Sequence, residues 1–284
     1  MKFTALKLPP NCLEYLEKID SLQEVYDSIK FETVFEPIQI RHIENGKMNV
    51  QVTSYLDLKA WQKEIAYSSI VKMRTTENSI YSSLSNDDFY TFAILLRHHM
   101  ENAGLLALLV DTLMESFQKK DFNILNKFIS KTWFGNSFYN KPMFRDSDEA
   151  FGTIETVSIS AMINALDNFL ESLNIGGKKP KDKSFANNYT WLCQFAHPNA
   201  TSSSFFTETN KTKTGTYINF KWNGNFIAEE GYFRLLSMLV SNMIVGYANF
   251  FIFLSFEFSE GMTITQNQKL AIYAYDNILT RFKQ

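Results

Sequence analysis

The stretch from Thr91 to Met114, TFAILLRHHMENAGLLALLVDTLM, is almost entirely apolar apart from one short polar run, RHHMEN, in its middle. Its length and its lack of proline predict one long helix, from about Phe89 to Phe117. Arg97 and Glu101 stand four residues apart in it, on the same helical stripe as Leu105 and other core-type residues. Because burial of a charge is costly unless a partner bonds it, we expect Arg97 and Glu101 to form an ion pair that is at least half buried.

The composition sets the class of protein around this helix. The chain has 284 residues, of which 45% are hydrophobic and 15% aromatic, enough for a sizeable core. With 28 basic and 30 acidic residues the net charge is −2, which is not typical of a protein that coats nucleic acid or an anionic membrane. The two cysteines, Cys12 and Cys193, cannot form a disulfide framework or a cysteine metal site. With no apolar signal core near the start, these features predict a cytoplasmic protein.

Helical periodicity dominates the chain, which has only 11 glycines and 6 prolines to interrupt it. The remaining predicted helices are Asn11 to about Ile29, Asp57 to Met73, Asp121 to Thr132, Phe151 to Leu173, Ser184 to His197, Tyr232 to about Phe258 and Thr265 to Phe282. Two hairpins are predicted, one from Pro37 to Thr53 about Asn45-Gly46, and one pairing Thr216 to Trp222 with Asn225 to Ala228 about Asn223-Gly224.

This order of elements predicts an all-α fold, a bundle of six or more helices with two small β-hairpin insertions. We divide the chain into an N-terminal helix, hairpin and helix over residues 1–85 and a main helical bundle over residues 86–284. The second hairpin is an insertion into that bundle at about residues 200–230.

The segment from Leu235 to Phe256 has 22 residues with no charge, which meets the length criterion for a membrane span. Asn242, Gly246 and Asn249 form a polar stripe along it. A polar stripe on an otherwise apolar helix is typical of the middle of a bundle, so we predict a core helix, with a span at 235–256 as the minor alternative. The two asparagines either line the polar interior near Arg97 or pair with the backbone or with each other.

Two places in the chain are candidate sites: the polar turn holding Arg97, His98 and Glu101, and the helix end at His197 and Asn199. The carbonyl end of a helix favours the imidazolium form, so His197 is placed where an acid–base group can be tuned. A structural alternative exists for both: Arg97 bridges helices, and His197 and Asn199 cap a helix end. The motifs of nucleotide-binding loops, serine hydrolases and zinc proteases are absent from the sequence.

The spacing His98-x-x-Glu101 would place two metal ligands on one helix face. Bundle di-iron sites use Glu-x-x-His in the opposite order, twice, with two further glutamates. The sequence has no second copy, so we predict neither a metal nor a cofactor.

Arg97-x3-Glu101 on an apolar helix, followed by Tyr189-x2-Leu192-x4-His197-Pro198-Asn199, resembles a pattern in uncharacterised bacterial all-helical proteins. The resemblance covers roughly residues 86–205 and the final helices. These proteins are distantly similar to the HEPN superfamily, helical bundles that include metal-independent RNases of toxin and defence systems. HEPN nucleases carry Arg-x4–6-His on one helix, whereas here a histidine partner such as His197 would come from another helix.

These observations leave two classes of function open. In the first, the protein is an HEPN-like RNase or a phage-defence or toxin-type protein. Arg97 then stabilises phosphate charge, His197 or His98 moves protons, and Glu101 orients Arg97 or the imidazole. In the second, it is a non-enzymatic interaction or sensor protein, and the Arg97, Glu101 and His197 cluster is structural. The partner is accordingly RNA or a protein, no membrane partner is predicted, and a homodimer is left open.

Overall fold

The computed structural model of the chain describes residues 39–44, 47–52, 55–134, 156–172, 184–197, 203, 206–220 and 229–258. In chain order the elements are β1 (Gln39–Glu44), β2 (Lys47–Val52), α1 (Tyr55–Ser85), α2 (Phe89–Lys119), α3 (Phe122–Phe134), α4 (Ile159–Ser172), α5 (Ser184–Ala196), β3 (Thr207–Thr212), β4 (Gly215–Phe220) and α6 (Glu229–Phe258). Over these residues the chain is all-α, six helices with two small hairpins, which confirms the predicted fold class. The predicted helices Asn11 to Ile29 and Thr265 to Phe282 lie outside the described residues.

Helix α2, which contains the apolar stretch from Thr91 to Met114, is the centre of the bundle. It packs against each of the other five described helices. Phe92, Leu96 and Leu106 on it are fully buried. Its ends are set locally: Asp88 caps the N-terminus by accepting a hydrogen bond from Thr91 N at 3.1 Å, and Lys120 ends the helix with a left-handed φ of 51°.

Helix α1 is longer than the sequence suggested, and its predicted end at Met73 is wrong. It continues for three more turns to Ser85. The added segment is rich in serine and threonine, which are weak helix formers because their hydroxyls compete for backbone hydrogen bonds. Here those hydroxyls donate to the carbonyl four residues earlier, as Thr76 does to Lys72 O at 2.7 Å. Burial of Ile80 and Leu84 against α2 stabilises the extension.

Two glycines allow helices to approach closely. A Cβ on Gly104 of α2 would lie 2.8 Å from the Met162 carbonyl oxygen of α4. A Cβ on Gly246 of α6 would meet the end of the Met73 side chain and would lie 3.2 Å from Ala103 Cβ. The second contact brings α1, α2 and α6 together at one level of the core.

The end of α4 positions α5. Asp167 is buried on α4, and its two carboxylate oxygens accept from Phe185 N at 2.9 Å and Ala186 N at 3.1 Å. Backbone N–H groups in the first turn of a helix lack intrahelical partners and favour a negative charge nearby. Asp167 therefore fixes the start of α5, the helix that carries Tyr189.

The first hairpin forms as predicted: Glu44 pairs with Lys47, so that Asn45 and Gly46 alone connect the strands. The second hairpin lies within the predicted region of residues 200–230, and its predicted strand from Thr216 matches β4 as far as Phe220, but the predicted partner is wrong because β4 pairs with a strand that precedes it. Thr207–Thr212 pairs with Gly215–Phe220, and the connection is Lys213-Thr214. The first of these strands, TETNKT, is polar throughout and lacks the alternation that identifies a half-buried strand, because it is mostly exposed. The predicted return at Asn225 to Ala228 lies outside the described residues.

Among the described residues, one segment, Gly231–Leu254 of α6, is long and apolar enough to cross a membrane. Of its most apolar window, 72% is buried inside the bundle. This burial is consistent with a core helix of a soluble protein.

The boundary at residues 85 and 86, where we divided the chain, falls in the turn between α1 and α2, which pack together along one core.

Candidate functional site

Four side chains at the junction of α2 and α5 form what we call the surface cluster: Arg97, His98, Glu101 and Tyr189. Arg97 Nε donates to Glu101 Oε1 at 3.2 Å and to the Tyr189 hydroxyl at 3.2 Å. The Tyr189 hydroxyl in turn donates to Glu101 Oε1 at 2.6 Å. The Arg97 and Glu101 side chains are 26% and 24% exposed. The expected half-buried pair is therefore present, with a tyrosine as its third member.

The charges of the surface cluster stabilise each other. Burial works against the charged guanidinium of Arg97, but the Tyr189 oxygen and then Cys193 and Glu101 hold its pKa above the ordinary value. Burial and the hydrogen bond to Glu101 raise the pKa of Tyr189. Arg97 therefore stays cationic and Tyr189 stays a hydroxyl donor across the physiological pH range. The hydrogen bonds that Arg97 makes to described residues all come from Nε, so its two terminal amino groups have no hydrogen-bond partner among those residues.

His98 is the most exposed member of the surface cluster, at 55% of its side chain. Its Nδ1 lies 3.9 Å from Glu101 Oε2. Asn102 Nδ2 donates to the His98 carbonyl oxygen at 2.9 Å, which fixes the amide orientation, and the same nitrogen lies 3.2 Å from His98 Nε2. Nε2 is therefore the acceptor and Nδ1 carries the proton that faces the Glu101 carboxylate.

The predicted histidine at the end of α5 is not part of this arrangement. His197 follows the last residue of α5, and its side chain is exposed. It stands eight residues beyond Tyr189, a separation of roughly 12 Å along a helix axis. Asn199 lies outside the described residues. The imidazole beside Arg97 is thus that of His98.

A second polar group, which the sequence analysis missed, lies inside the bundle. We call it the internal network: Arg74 and Glu77 of α1, His99 of α2 and Tyr247 of α6. The fully buried carboxylate of Glu77 is its centre, 2.9 Å from His99 Nε2 and within 3.0 Å of the Tyr247 hydroxyl through both oxygens. Arg74 Nη1 donates to Glu77 Oε2 at 2.8 Å and to the Tyr247 hydroxyl at 3.2 Å.

The internal network joins three helices through one buried carboxylate. Burial disfavours the charge of Arg74, but the neighbouring Tyr247 and Glu77 oxygens raise its pKa above the ordinary value. Glu77 therefore has a permanently cationic partner, and it accepts from donors on three different helices. Because Glu77 and His99 have no exposed surface, this group holds helices together and does not contact a substrate.

One signal in the sequence would have revealed the internal network. The buried apolar positions of α1 include Ala66, Ile70, Met73, Ile80 and Leu84, which alternate in steps of four and three except for one gap. Glu77 fills that gap. A carboxylate at a core position of a helix predicts a buried partner, but the early end assigned to α1 removed Glu77 from the helix.

Within the described part of the chain, no group of three or more His, Cys, Asp or Glu side chains is arranged to hold a metal ion. The chemistry available to the surface cluster is that of a fixed cation beside an exposed imidazole. Comparison of the chain with protein-family models, with curated proteins and with solved structures finds no match in any of the three.

Proposed function

We propose that the protein binds and cleaves RNA without a metal ion, as an HEPN-like helical protein of the toxin or phage-defence type, and that the surface cluster is its active site. The observation that carries the proposal is the arrangement of Arg97. Its Nε is fixed by Tyr189 and Glu101, so the guanidinium is oriented before a ligand arrives, and its other N–H groups, which have no hydrogen-bond partner among the described residues, can donate to an anion. Such pre-oriented donors stabilise charge that develops on a phosphoryl group.

The reaction class follows from the neighbour of Arg97. His98 accepts the proton of a ribose 2′-hydroxyl at Nε2, and the 2′-oxygen attacks the adjacent phosphorus. The bond from phosphorus to the 5′-oxygen breaks, leaving a 2′,3′-cyclic phosphate, and the 5′-oxygen takes a proton from water or from an imidazolium. In this scheme the substrate hydroxyl replaces the Asn102 amide at Nε2, and Glu101 stabilises the imidazolium through Nδ1.

The test is cleavage of labelled RNA by the full chain in the presence of EDTA. Arg97→Ala and His98→Ala are expected to lower the rate at least 100-fold. The matched control is Arg234→Ala, because Arg234 also bonds an α5 residue, Asn188, and stacks on an α5 aromatic, Trp191, but is not a member of the surface cluster. Equal loss in Arg234→Ala and Arg97→Ala, or no cleavage by the natural chain, contradicts the proposal.

A second candidate is a non-enzymatic interaction protein, and the β3–β4 hairpin favours it. Tyr217, Ile218 and Phe220 on β4 are 55%, 59% and 81% exposed. Strand β4 has no charged residue or proline, the features that protect an edge strand from pairing. Antiparallel pairing of β4 with β4 of a second copy would bring no like charges together. Light scattering would then give a dimer mass that Phe220→Ser converts to a monomer mass; a monomer in both cases contradicts this candidate.

A further inference from the structure

Two fully buried side chains, one in the internal network and one on α6, have polar atoms without partners among the described residues. His99 bonds Glu77 through Nε2, but its Nδ1 has no hydrogen-bond partner among the described residues. Asn242 of α6 is likewise fully buried, and neither its amide nitrogen nor its amide oxygen is bonded within the described part of the chain. A buried polar atom with no partner loses its hydration and gains nothing in return, so native proteins rarely leave one unpaired.

The packing of α2 and α6 places these two side chains at the same level. The rings of Phe89 and Tyr232 are in contact, with centroids 5.2 Å apart, and Ala103 meets Gly246 fourteen residues later on both helices. The two helices are therefore parallel and in constant register. His99 and Asn242 each precede the second contact by four residues, one helical turn.

The position of the proton on the His99 ring determines whether Nδ1 is a hydrogen-bond donor or an acceptor. Nε2 faces the Glu77 carboxylate, an acceptor that also holds the Tyr247 hydroxyl and Arg74, so Nε2 carries a proton. In the neutral ring Nδ1 is then an acceptor. The Asn242 amide supplies one donor group and one acceptor, and a water molecule supplies both as well.

We infer that His99 and Asn242 bind one internal water molecule between α2 and α6. The water donates to His99 Nδ1 and accepts from Asn242 Nδ2. The internal network is thereby extended from α1, through Glu77 and the His99 ring, to a second point on α6 beyond Tyr247. Buried waters of this kind make about three hydrogen bonds to polar groups that lack other partners.

Nuclear magnetic resonance on the full chain with labelled histidines tests the site. The C–H between the two ring nitrogens of His99, assigned with variants of the other three histidines, is expected to show a cross-peak to a long-lived water. Asn242→Leu is expected to abolish that cross-peak and to lower Tm by about 3–8 °C. The matched control is Asn249→Leu, on the same stripe of α6 and equally buried, which should leave the cross-peak in place.

Three results would overturn the inference: no cross-peak in the natural chain, a cross-peak that survives Asn242→Leu, or an unchanged or higher Tm for that variant. A higher Tm would mean that the Asn242 amide has no partner, because a buried amide without a hydrogen bond destabilises the fold and leucine would remove that cost. If Asn242→Leu does not fold, Asn242→Ser provides the comparison, since a hydroxyl keeps a polar partner and should retain the cross-peak. Loss of the cross-peak in Asn242→Ser would likewise count against the water.

Discussion

Removal of the Glu77 carboxylate is the most direct test of the internal network. In Glu77→Ala, His99 Nε2 loses its acceptor while remaining fully buried, and Arg74 and Tyr247 lose their bonds to the carboxylate but keep the bond to each other at 3.2 Å. Breaking a buried ion pair by removing one partner costs about 3–5 kcal/mol. We expect the free energy of unfolding to fall by this amount, measured by urea denaturation with circular dichroism at 222 nm.

The chain offers a matched control for this measurement. Glu101 also bonds an arginine and a tyrosine, Arg97 and Tyr189, but its side chain is 24% exposed. Water can replace its lost contacts, so Glu101→Ala is expected to cost only about 0.5–1 kcal/mol. Comparable losses in Glu77→Ala and Glu101→Ala would show that burial does not determine how much the internal network contributes to the free energy of unfolding.

A double-mutant cycle separates the network from the general cost of an alanine substitution. Tyr247→Phe alone removes one donor and leaves Glu77 bonded to His99 and Arg74, with an expected loss of about 1–2 kcal/mol. In the double variant with Glu77→Ala, the hydroxyl has already lost the Glu77 carboxylate as its acceptor. The loss of unfolding free energy in the double variant should therefore be smaller than the sum of the two single losses by about 0.5 kcal/mol or more. Additive losses, or a loss below about 1 kcal/mol for Glu77→Ala, would refute the reasoning.

Three further predictions concern the rest of the bundle. Gly104→Ala, whose Cβ would lie 2.8 Å from a backbone oxygen, should lose about 1–3 kcal/mol in urea unfolding, whereas Gly246→Ala meets the flexible end of Met73 and should lose less; the reverse order would contradict the packing. Burial raises the pKa of Asp111 to about 6, so the folded state holds its proton more tightly than the unfolded state and stability falls as pH rises from about 4 to 6. Asp111→Asn should therefore raise the unfolding free energy at pH 7.5 by about 1 kcal/mol, allowing for solvent screening at this half-buried position, and should leave it unchanged at pH 4. An equal effect at both pH values would exclude the raised pKa of Asp111 as the cause. Asp167→Asn should cost about 1–2 kcal/mol in thermal unfolding, because the helix N-terminus of α5 loses a carboxylate with two N–H donors; no loss would show that the cap is unimportant.

The sequence identified the central helix because burial on all sides leaves a direct trace in composition. Helix α2 contacts every other described helix, and a segment with neighbours on all sides must be apolar almost throughout. The exceptions in such a segment are informative, which is why Arg97 and Glu101 could be paired from spacing alone. Their third partner, Tyr189, could not be found this way, because its position depends on how α5 packs against α2.

Two of the errors in the predicted elements have a common physical origin. The second half of α1 and the strand β3 are both polar, and both form because of the elements beside them rather than through their own pattern. In α1, the packing of Ile80 and Leu84 outweighs the weak helix propensity of serine and threonine. In β3, pairing with β4 determines the strand. Local sequence patterns do not contain these tertiary contributions.

The surface cluster and the internal network have the same composition, an arginine, a glutamate, a histidine and a tyrosine, yet burial gives them different roles. Their histidines, His98 and His99, are consecutive, and a helix turns by about 100° between neighbours, so one ring points to solvent and the other into the core. Glu77 and His99 have no exposed surface, so they act on the fold. Arg97 and His98 keep exposed surface on polar groups that are already oriented, and only a group with both properties can meet a substrate. The proposed chemistry therefore belongs to the surface cluster, and stability belongs to the internal network.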